Sequence, residues 1–334
     1  MYDYHSFIAC IPVWDEGLVE ERNENMNSKT LLYILKRLAL AVLTVWVVIT
    51  ITFFVSRAVP GGPFASEKAI TPAAKAALEA KYGLDKPLME QYGTYLKDIV
   101  TEFDFGPSLK NRGRDVIDVI ADGMKTSAEL GITAAAIALV VGVVLGAVAA
   151  LRRNKIIDRI IMVFTTAFIS MPSFIMGTLL LILFALVWKI LPANGNAEGG
   201  LILPIITLSL SPMANITRLT RSSMLDVLGQ DYVRTAKAKG VSGGKIIFGH
   251  ALKNALIPVI TYFGPMLAYI VTGSLVIEQI FAVPGIGRTF VSSITDRDYP
   301  MIMGTTIVLA SLIVIMNMVS DILYKVVDPR ITLE

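Results

Sequence analysis

The chain has 334 residues, of which 54% are hydrophobic and 17% are charged, and its mean hydropathy is +0.64. This composition excludes an ordinary soluble domain and predicts a protein of the lipid bilayer. A net charge of +3 is too small to indicate a nucleic-acid partner. The single cysteine, Cys10, excludes an internal disulfide and a multi-cysteine metal site, and neither histidine lies in a metal-ligand cluster, so no metal site is expected.

Residues 1–28 differ from the rest of the chain, because they carry six acidic residues and one base. A secretory signal peptide needs a basic start and an apolar centre, so this segment is not one. We expect a cytoplasmic, poorly ordered extension, or an overlong start before Met26. A regulatory or partner-binding tail is the alternative.

The first predicted span is Leu38–Val55, eighteen residues without a charge that follow Lys36 and Arg37. At about 1.5 Å per residue, a helix of this length crosses most of a hydrocarbon layer of about 30 Å. We place the span within residues 29–56. A cleavable signal peptide is the alternative, although the apolar run is long for one.

Residues 57–127 form a polar stretch in which ten bases balance ten acids. Proline positions and periodicity predict short helices at Pro72–Tyr82, Leu84–Ile99 and Asp115–Met124, and an aromatic turn at Phe103–Lys110. We expect an extracytoplasmic loop subdomain, which either docks an outside partner or merely caps the span ends.

Five further uncharged runs bring the number of predicted spans to six. The first span lies within residues 29–56, and the other five lie within a core at 128–325. These runs are Leu130–Leu151, Ile160–Trp188, Leu201–Thr217, Ala255–Ile277 and Met301–Ser320. As a straight helix the second run would measure about 43 Å, so it must tilt, extend beyond the membrane or bend near Pro172.

Charge in the short loops predicts the orientation. The loop at 152–159 has four bases and one acid, and the loop at 218–254 has seven bases and two acids, whereas the loops at 189–200 and 278–300 have net charges of zero and minus one. The positive-inside rule therefore places both termini, including the tail 326–334, and both basic loops in the cytoplasm.

The predicted spans contain few charges, because Asp158, Glu278 and Asp321 all fall at their ends. This argues against an ion-driven carrier, which usually needs buried carboxylates. Asn215 and Asn317 are better explained as interhelical hydrogen-bonding residues than as substrate ligands. The chain also lacks a phosphate loop and a hydrolase motif, which argues against a membrane-embedded enzyme.

The basic loop from Asp231 to Pro258 separates two apolar segments. A helical run, Tyr232–Lys239, is predicted to stop at Gly240, and a second to start near Lys245. The loop offers amines, hydroxyls and His250, but no catalytic set of side chains. It can therefore dock another protein, or it serves only to fix the topology.

Arg234-Thr235-Ala236, followed four residues later by Gly240, resembles a motif in the permease subunits of ATP-binding-cassette (ABC) importers. The general motif has Glu-Ala-Ala and then Gly, and its acid is Arg in the peptide-transporter branch; Pro258 lies further downstream than the general pattern has it. The resemblance implies a coupling helix that sits in a groove of a separate ATPase. The implied coupling residues are Tyr232, Arg234, Thr235, Ala236, Lys237, Ala238, Lys239 and Gly240.

Other motifs extend the resemblance from about residue 26 to residue 330 and narrow it to the B-type permeases of bacterial oligopeptide importers. They are Val59–Phe64, Phe105–Ser108, Arg221–Met224, Thr272–Ser274, Val283–Gly287 and Asp328–Arg330. The loop Lys189–Gly200 is short, and in this respect it resembles the corresponding loop of oligopeptide subunits more than that of dipeptide subunits. Nickel importers share much of the same pattern.

The resemblance implies an all-α polytopic membrane protein with the six-helix type I ABC importer permease fold, in the bacterial inner membrane. It also implies a second homologous permease, two cytoplasmic ATPases that bind ATP and Mg, and an extracytoplasmic peptide-binding lipoprotein. This chain itself would bind no cofactor and catalyse no reaction. An ion-gradient-driven secondary carrier is the alternative.

Two groups of residues are candidates for transport itself. The candidate translocation path comprises Ser170, Pro172, Ser173, Thr272, Gly273 and Ser274, although packing alone also explains the kink at Pro172. The candidate outer gate and binding-protein docking region comprises Phe105, Gly106, Pro284, Gly285 and Gly287, where a simple tight turn is the alternative.

Overall fold

A computed structural model of the chain describes residues 16–60, 62–64, 72–111 and 113–327. In these residues the regular structure is helical, and the single β-type contact is an isolated bridge between Pro107 and Asp115. The first four helices are α1 (Glu16–Ala58), α2 (Pro72–Lys81), α3 (Leu88–Glu102) and α4 (Val116–Leu151).

Helix α1 contains the first predicted span. Its segment Leu35–Ala58 is long and apolar enough to cross a membrane, and it includes Leu38–Val55. Residues 16–28 of the extension predicted to be poorly ordered are helical and continuous with this span. The stretch from Leu18 to Ser28 contains no proline or glycine that would stop a helix. Residues 1–15 lie outside the described residues.

The outer loop subdomain differs from the prediction in two places. Helix α3 begins after Pro87 rather than at Leu84, because a residue that precedes proline avoids helical geometry. The amphipathic segment Asp115–Met124 and the span Leu130–Leu151 are parts of one helix of 36 residues, α4. No proline separates them, so the helix continues through residue 127, where we had placed a boundary.

The long uncharged run Ile160–Trp188 is broken near Pro172, which is one of the three predicted alternatives, with tilting and extension beyond the membrane as the others. Helix α5 (Ile156–Ser170) and helix α6 (Ser173–Leu180), which continues as a π-helix to Val187, meet at 109°. Met171 is extended, with ψ at 128°, because it precedes Pro172. The run is therefore a bent pair and not a straight helix.

Helix α7 (Ile202–Leu228) lies along α4 and forms the centre of the bundle. The pair Gly142 and Gly146 makes this close approach possible. A Cβ at Gly142 would lie 2.8 Å from Cγ2 of Ile216, and one at Gly146 would lie 2.6 Å from the carbonyl oxygen of Thr217. The close helix packing predicted from the G-x-x-x-G spacing is confirmed.

The remaining helices carry the basic loop and the outer end of the bundle. They are α8 (Asp231–Ala238), α9 (Gly243–Lys245), a π-helix (Ile246–Ala251), α10 (Leu252–Ala255), α11 (Ile257–Val271), α12 (Leu275–Ile280), α13 (Ile286–Asp296) and α14 (Tyr299–Val327).

The predicted span Ala255–Ile277 is not one helix. Helix α11 ends at Val271, and Gly273 has φ at +92°, a left-handed conformation that interrupts the helix before α12. The uncharged run Ala255–Ile277 did not predict this break, because a single glycine inside such a run is compatible with a helix.

Four helices of the described chain are long and apolar enough to cross a membrane, and the number rises to six if each of two bent pairs counts as one span. The bent pairs are α5 with α6, and α9–α10 with α11. The predicted six spans match the upper figure. The motif Asp328–Arg330 lies outside the described residues.

Candidate functional site

The first half of the basic loop is an exposed helix held by one buried side chain. Gln230 is extended, helix α8 follows it, and Val233 is fully buried beneath the helix. The Thr235 hydroxyl donates to the carbonyl oxygen of Asp231 at 2.9 Å, within the same helix. Ala236 is half-buried, and the remaining predicted coupling residues are exposed: Tyr232, Arg234, Thr235, Lys237, Ala238, Lys239 and Gly240.

Gly240 ends this helix, as predicted. Its φ is +77°, and the amide of Val241 donates to the carbonyl oxygen of Ala236 at 3.2 Å, which closes the last turn. A Cβ at Gly240 would meet no described atom within 4 Å. The backbone conformation, and not packing within this chain, is what requires glycine here.

The second half of the loop is attached to the inner ends of α4 and α7. Ala251 and Ala255 are buried against Ala150 of α4 and Met224 of α7. Phe248 lies on the opposite side and is 73% exposed. The loop therefore has one face fixed to the bundle and one face open.

A hydrogen bond joins the two halves of the loop. The side-chain amide of Asn254 donates to the Tyr232 hydroxyl at 2.8 Å. The contact connects helix α8 to helix α10.

Near the loop, a half-buried ion pair links α5 to α7. The Arg221 Nε donates to Asp158 Oδ1 at 2.7 Å, and Nη2 donates to Oδ2 at 2.8 Å. The side chains are 23% and 4% exposed, respectively. This parallel two-bond geometry is the strongest form of an arginine–carboxylate pair. Sequence reasoning had noted Asp158 only as an acid at a span end.

At the other end of the bundle, Glu278 of α12 is fully buried. Its Oε1 accepts a hydrogen bond from the Ser127 hydroxyl at 2.8 Å and one from the Ser274 amide at 3.2 Å. Its Oε2 accepts one from the Arg288 amide at 3.1 Å. Burial raises the pKa of the Glu278 carboxyl, while these donors act in the opposite direction.

Glycines make the approach to Glu278 possible. A Cβ at Gly273 would lie 3.0 Å from Oε1, and one at Gly287 would lie 2.9 Å from Oε2. A Cβ at Gly285 would collide with both the Glu278 carboxylate and the Ser127 hydroxyl. We call this group, Ser127, Gly273, Glu278, Gly285 and Gly287, the outer cluster.

The outer cluster combines residues that we had assigned to two different roles. Gly273 and Ser274, predicted for the path, lie with Gly285 and Gly287, predicted for the gate. Ser170, Pro172 and Ser173 do not join them and are exposed at the break between α5 and α6. The residues predicted for the path therefore lie in two separate places, one at the outer cluster and one at the break between α5 and α6.

Phe105 and Gly106 belong to the same outer end. Phe105 is 7% exposed and packs in a hydrophobic cluster with Phe53 of α1, Ile286 of α13 and Met301 of α14. Its side chain is therefore part of the interior and cannot itself contact an outside partner in this conformation. Gly106, with φ at +81°, forms the turn that brings Phe105 inward.

A second buried acid, Asp298, fixes this turn. It accepts hydrogen bonds from the Ser108 hydroxyl, from the Leu109 amide at 3.2 Å and from the Met301 amide at 3.3 Å. Sequence reasoning missed it. Its position just before the first residue of α14 is a capping position for a carboxylate, and that signal was available.

Comparison with solved structures identifies the class. An inward-facing MetNI methionine ABC transporter matches with a TM-score of 0.50 and 16% identity, over 63% of this chain and 97% of that chain. The likeness is one of fold. Together with the apolar helices, it makes this chain an all-α membrane protein with the fold of an ABC importer permease.

Family models then identify the family. The model described as binding-protein-dependent transport system inner membrane component matches residues 142–333, and the corresponding N-terminal model matches residues 30–125. The chain belongs to this family.

Two curated relatives cover almost the whole chain. The dipeptide transport system permease protein DppB of Bacillus subtilis is 49% identical over 302 residues, which is 90% of this chain and 98% of the relative. The oligopeptide transport system permease protein OppB of Escherichia coli is 42% identical over the same shares of both chains.

Proposed function

We propose that this chain is the permease subunit of an ATP-driven peptide importer and that the basic loop at 231–254 couples it to cytoplasmic ATPases. The supporting observation is the two-faced loop. One face is fixed to α4 and α7, and the other, around Gly240 and Phe248, is open to a partner. The names of the relatives, which are permeases of peptide transport systems, support the same substrate class.

The complex contains a second homologous permease, two cytoplasmic subunits that bind and hydrolyse ATP with Mg, and an extracytoplasmic peptide-binding lipoprotein. This chain contributes half of the path and no catalytic residue. It lies in the bacterial inner membrane with both termini in the cytoplasm, as the basic loops indicate.

The mechanism is alternating access. Closure of the ATPase pair displaces the loop from Tyr232 to Lys253 as one body, because Val233 and the Asn254–Tyr232 hydrogen bond hold its halves together. The attached ends of α4 and α7 follow. The displacement reaches the outer cluster through these long helices and opens the cavity between the two permeases to the outside, where the binding protein releases peptide.

Oligopeptides are the proposed substrates, because the loop Lys189–Gly200 is short. Dipeptides are the second candidate, and the 49% identity to a dipeptide permease supports them. A nickel importer is the third, because the separate binding protein, and not this chain, would select the cargo.

Co-purification tests the assembly. The chain, tagged at its C-terminus and expressed with its neighbouring genes, is purified in mild detergent, and its partners are identified by mass spectrometry. Recovery of a homologous permease and ATPase subunits supports the proposal. A stable chain recovered alone, which transports peptide without ATP, contradicts it and leaves the ion-gradient-driven carrier.

A further inference from the structure

The ion pair between Asp158 and Arg221 lies between the basic loop and the broken pair of helices α5 and α6. Arg221 is on the last two turns of α7, next to the segment where Met224 packs on the loop residues Ala251 and Ala255. Asp158 is on the first turn of α5. The pair therefore joins the helix that carries the loop to the helix that leads to Pro172.

Asp158 is held from two sides. Besides the two bonds to Arg221, its Oδ2 accepts the Asn154 amide at 2.9 Å. Asn154 belongs to the turn between α4 and α5 and has φ at +63°. A carboxylate on the first helical turn is also favoured by the helix dipole. The Asp158 side chain thus joins three parts of the chain, which are the turn after α4, the first turn of α5, and helix α7.

Beyond the ion pair, residues of α4, α5 and α7 line an open pocket of about 210 Å³. Apolar side chains line it, among them Ile161, Phe164 and Phe168 of α5 and Met213 of α7. The two helices also pack directly against each other. At their cytoplasmic ends the bidentate ion pair adds a directional contact to this packing.

We propose that Asp158 and Arg221 are positioning residues that transmit the movement of the basic loop from α7 to α5, and so to the bend at Pro172. The inference rests on the proposed coupling function of the loop. Stability alone gives little reason for a charge pair here, because apolar residues often replace buried ion pairs without loss of stability. The bidentate pair instead fixes one orientation of α5 relative to α7.

Contacts of α6 connect the bend at Pro172 to the outer cluster. Helix α6 packs through Gly177, whose Cβ would lie 3.1 Å from Cγ2 of Thr207 and 3.3 Å from the ring of Phe281. Phe281 directly follows α12, the helix of Glu278. A displacement of α5 therefore reaches the outer cluster through the bend and α6.

The test compares three variants in the complete importer, reconstituted with its binding protein in liposomes. The variants are Asp158→Asn, Arg221→Gln and the double variant. The readout is the number of radiolabelled tri-alanine molecules imported per ATP hydrolysed. Each variant is expected to lower this ratio about tenfold, which lies within the usual range of coupling effects, while ATP hydrolysis continues.

The double variant separates transmission from structural support. Each single variant leaves the partner charge unpaired, most severely in Arg221→Gln, where the buried Asp158 loses its cation, and this lowers the amount of assembled complex. The double variant removes both charges and should restore assembly. Transmission predicts that the ratio stays low in the double variant. A merely structural pair predicts that assembly and ratio recover together, and that result overturns the inference.

Arg218→Gln is the matched control. Arg218 lies three residues before Arg221 on the same helix, is exposed, and forms no ion pair with a residue that the structure describes. Its replacement should leave the ratio unchanged, and an equal loss there overturns the inference. If the wild-type complex itself imports no tri-alanine with ATP, the proposed import of oligopeptides fails instead. If the wild-type complex imports tri-alanine and all three variants import as many molecules per ATP as the wild type, only the role of the ion pair is refuted.

Discussion

The outer cluster and the basic loop are both rich in glycine, but for opposite reasons. At the outer cluster, Cβ atoms on Gly285 and Gly287 would enter the space of Glu278. In the loop, Cβ atoms on Gly240, Gly243 and Gly244 would meet no described atom within 4 Å. The outer cluster is therefore complete within this chain. The glycines of the loop are instead exposed on the surface of the described chain.

The polar side chains follow the same division. Glu278 and Asp298 are buried and accept hydrogen bonds from residues of this chain. The loop instead presents Arg234, Lys237 and Lys239 to solvent. We expect substitutions in the outer cluster to act on stability, and substitutions in the loop to act on coupling.

The largest expected effect on stability is that of Gly285→Val. The added side chain collides with the Glu278 carboxylate and the Ser127 hydroxyl, and overpacking of this kind costs about 3 kcal/mol. Thermal unfolding of the purified chain in detergent should show a large fall in the midpoint. Gly243→Ala is the control and should leave the midpoint unchanged; equal midpoints for the two variants would contradict the comparison.

A smaller loss is expected for Glu278→Gln. The side-chain amide NH₂ must face either the amide of Arg288 or the donors at Oε1, so one buried donor loses its acceptor. This costs about 2 kcal/mol. The same unfolding measurement checks it, and a variant as stable as the wild type would show that the carboxylate is not needed as an acceptor.

Gly240→Val should affect coupling more than stability. A β-branched residue at φ of +77° is strained by about 1–2 kcal/mol. The strain distorts the loop while the bundle stays folded. We expect normal membrane insertion and ATP hydrolysis but little peptide uptake.

The matched control for this position is Gly240→Asn, since asparagine tolerates the left-handed conformation. It should retain most of the uptake. Full uptake by the valine variant would show that the loop geometry at Gly240 does not matter for transport.

The smallest effect is expected for Arg114→Gln on the outer surface. Arg114 and Asp122 form an ion pair at 2.6 Å, but their side chains are 48% and 74% exposed. Exposed pairs contribute about 0.2–1 kcal/mol. A midpoint that falls as far as that of the Gly285 variant would remove the contrast between exposed and buried polar contacts.

Local signals in the sequence were enough for the apolar runs, the close packing at Gly142 and Gly146, and the helix stop at Gly240, and they gave the bend at Pro172 as one of three alternatives. Each depends on residues a few positions apart. The continuity of α4 and the break at Gly273 were not predicted, because tertiary contacts decide whether a helix continues through polar or glycine residues.

The outer cluster could not be predicted either. Ser127 and Glu278 are 151 positions apart in the chain, and nothing local indicates that they meet. The prediction that Glu278 lies at the end of a span was correct about its position next to the apolar run. That prediction did not reveal that α13 packs onto α4 and that α12 packs onto α13, which together bury the carboxylate.

The most direct test of the central claim is uptake of radiolabelled tri-alanine into liposomes that contain the complete complex and its binding protein. Our account predicts uptake that requires ATP on the side of the basic loop and that continues after the ion gradients are collapsed. Uptake by this chain alone, driven by a proton or sodium gradient and indifferent to ATP, would contradict it.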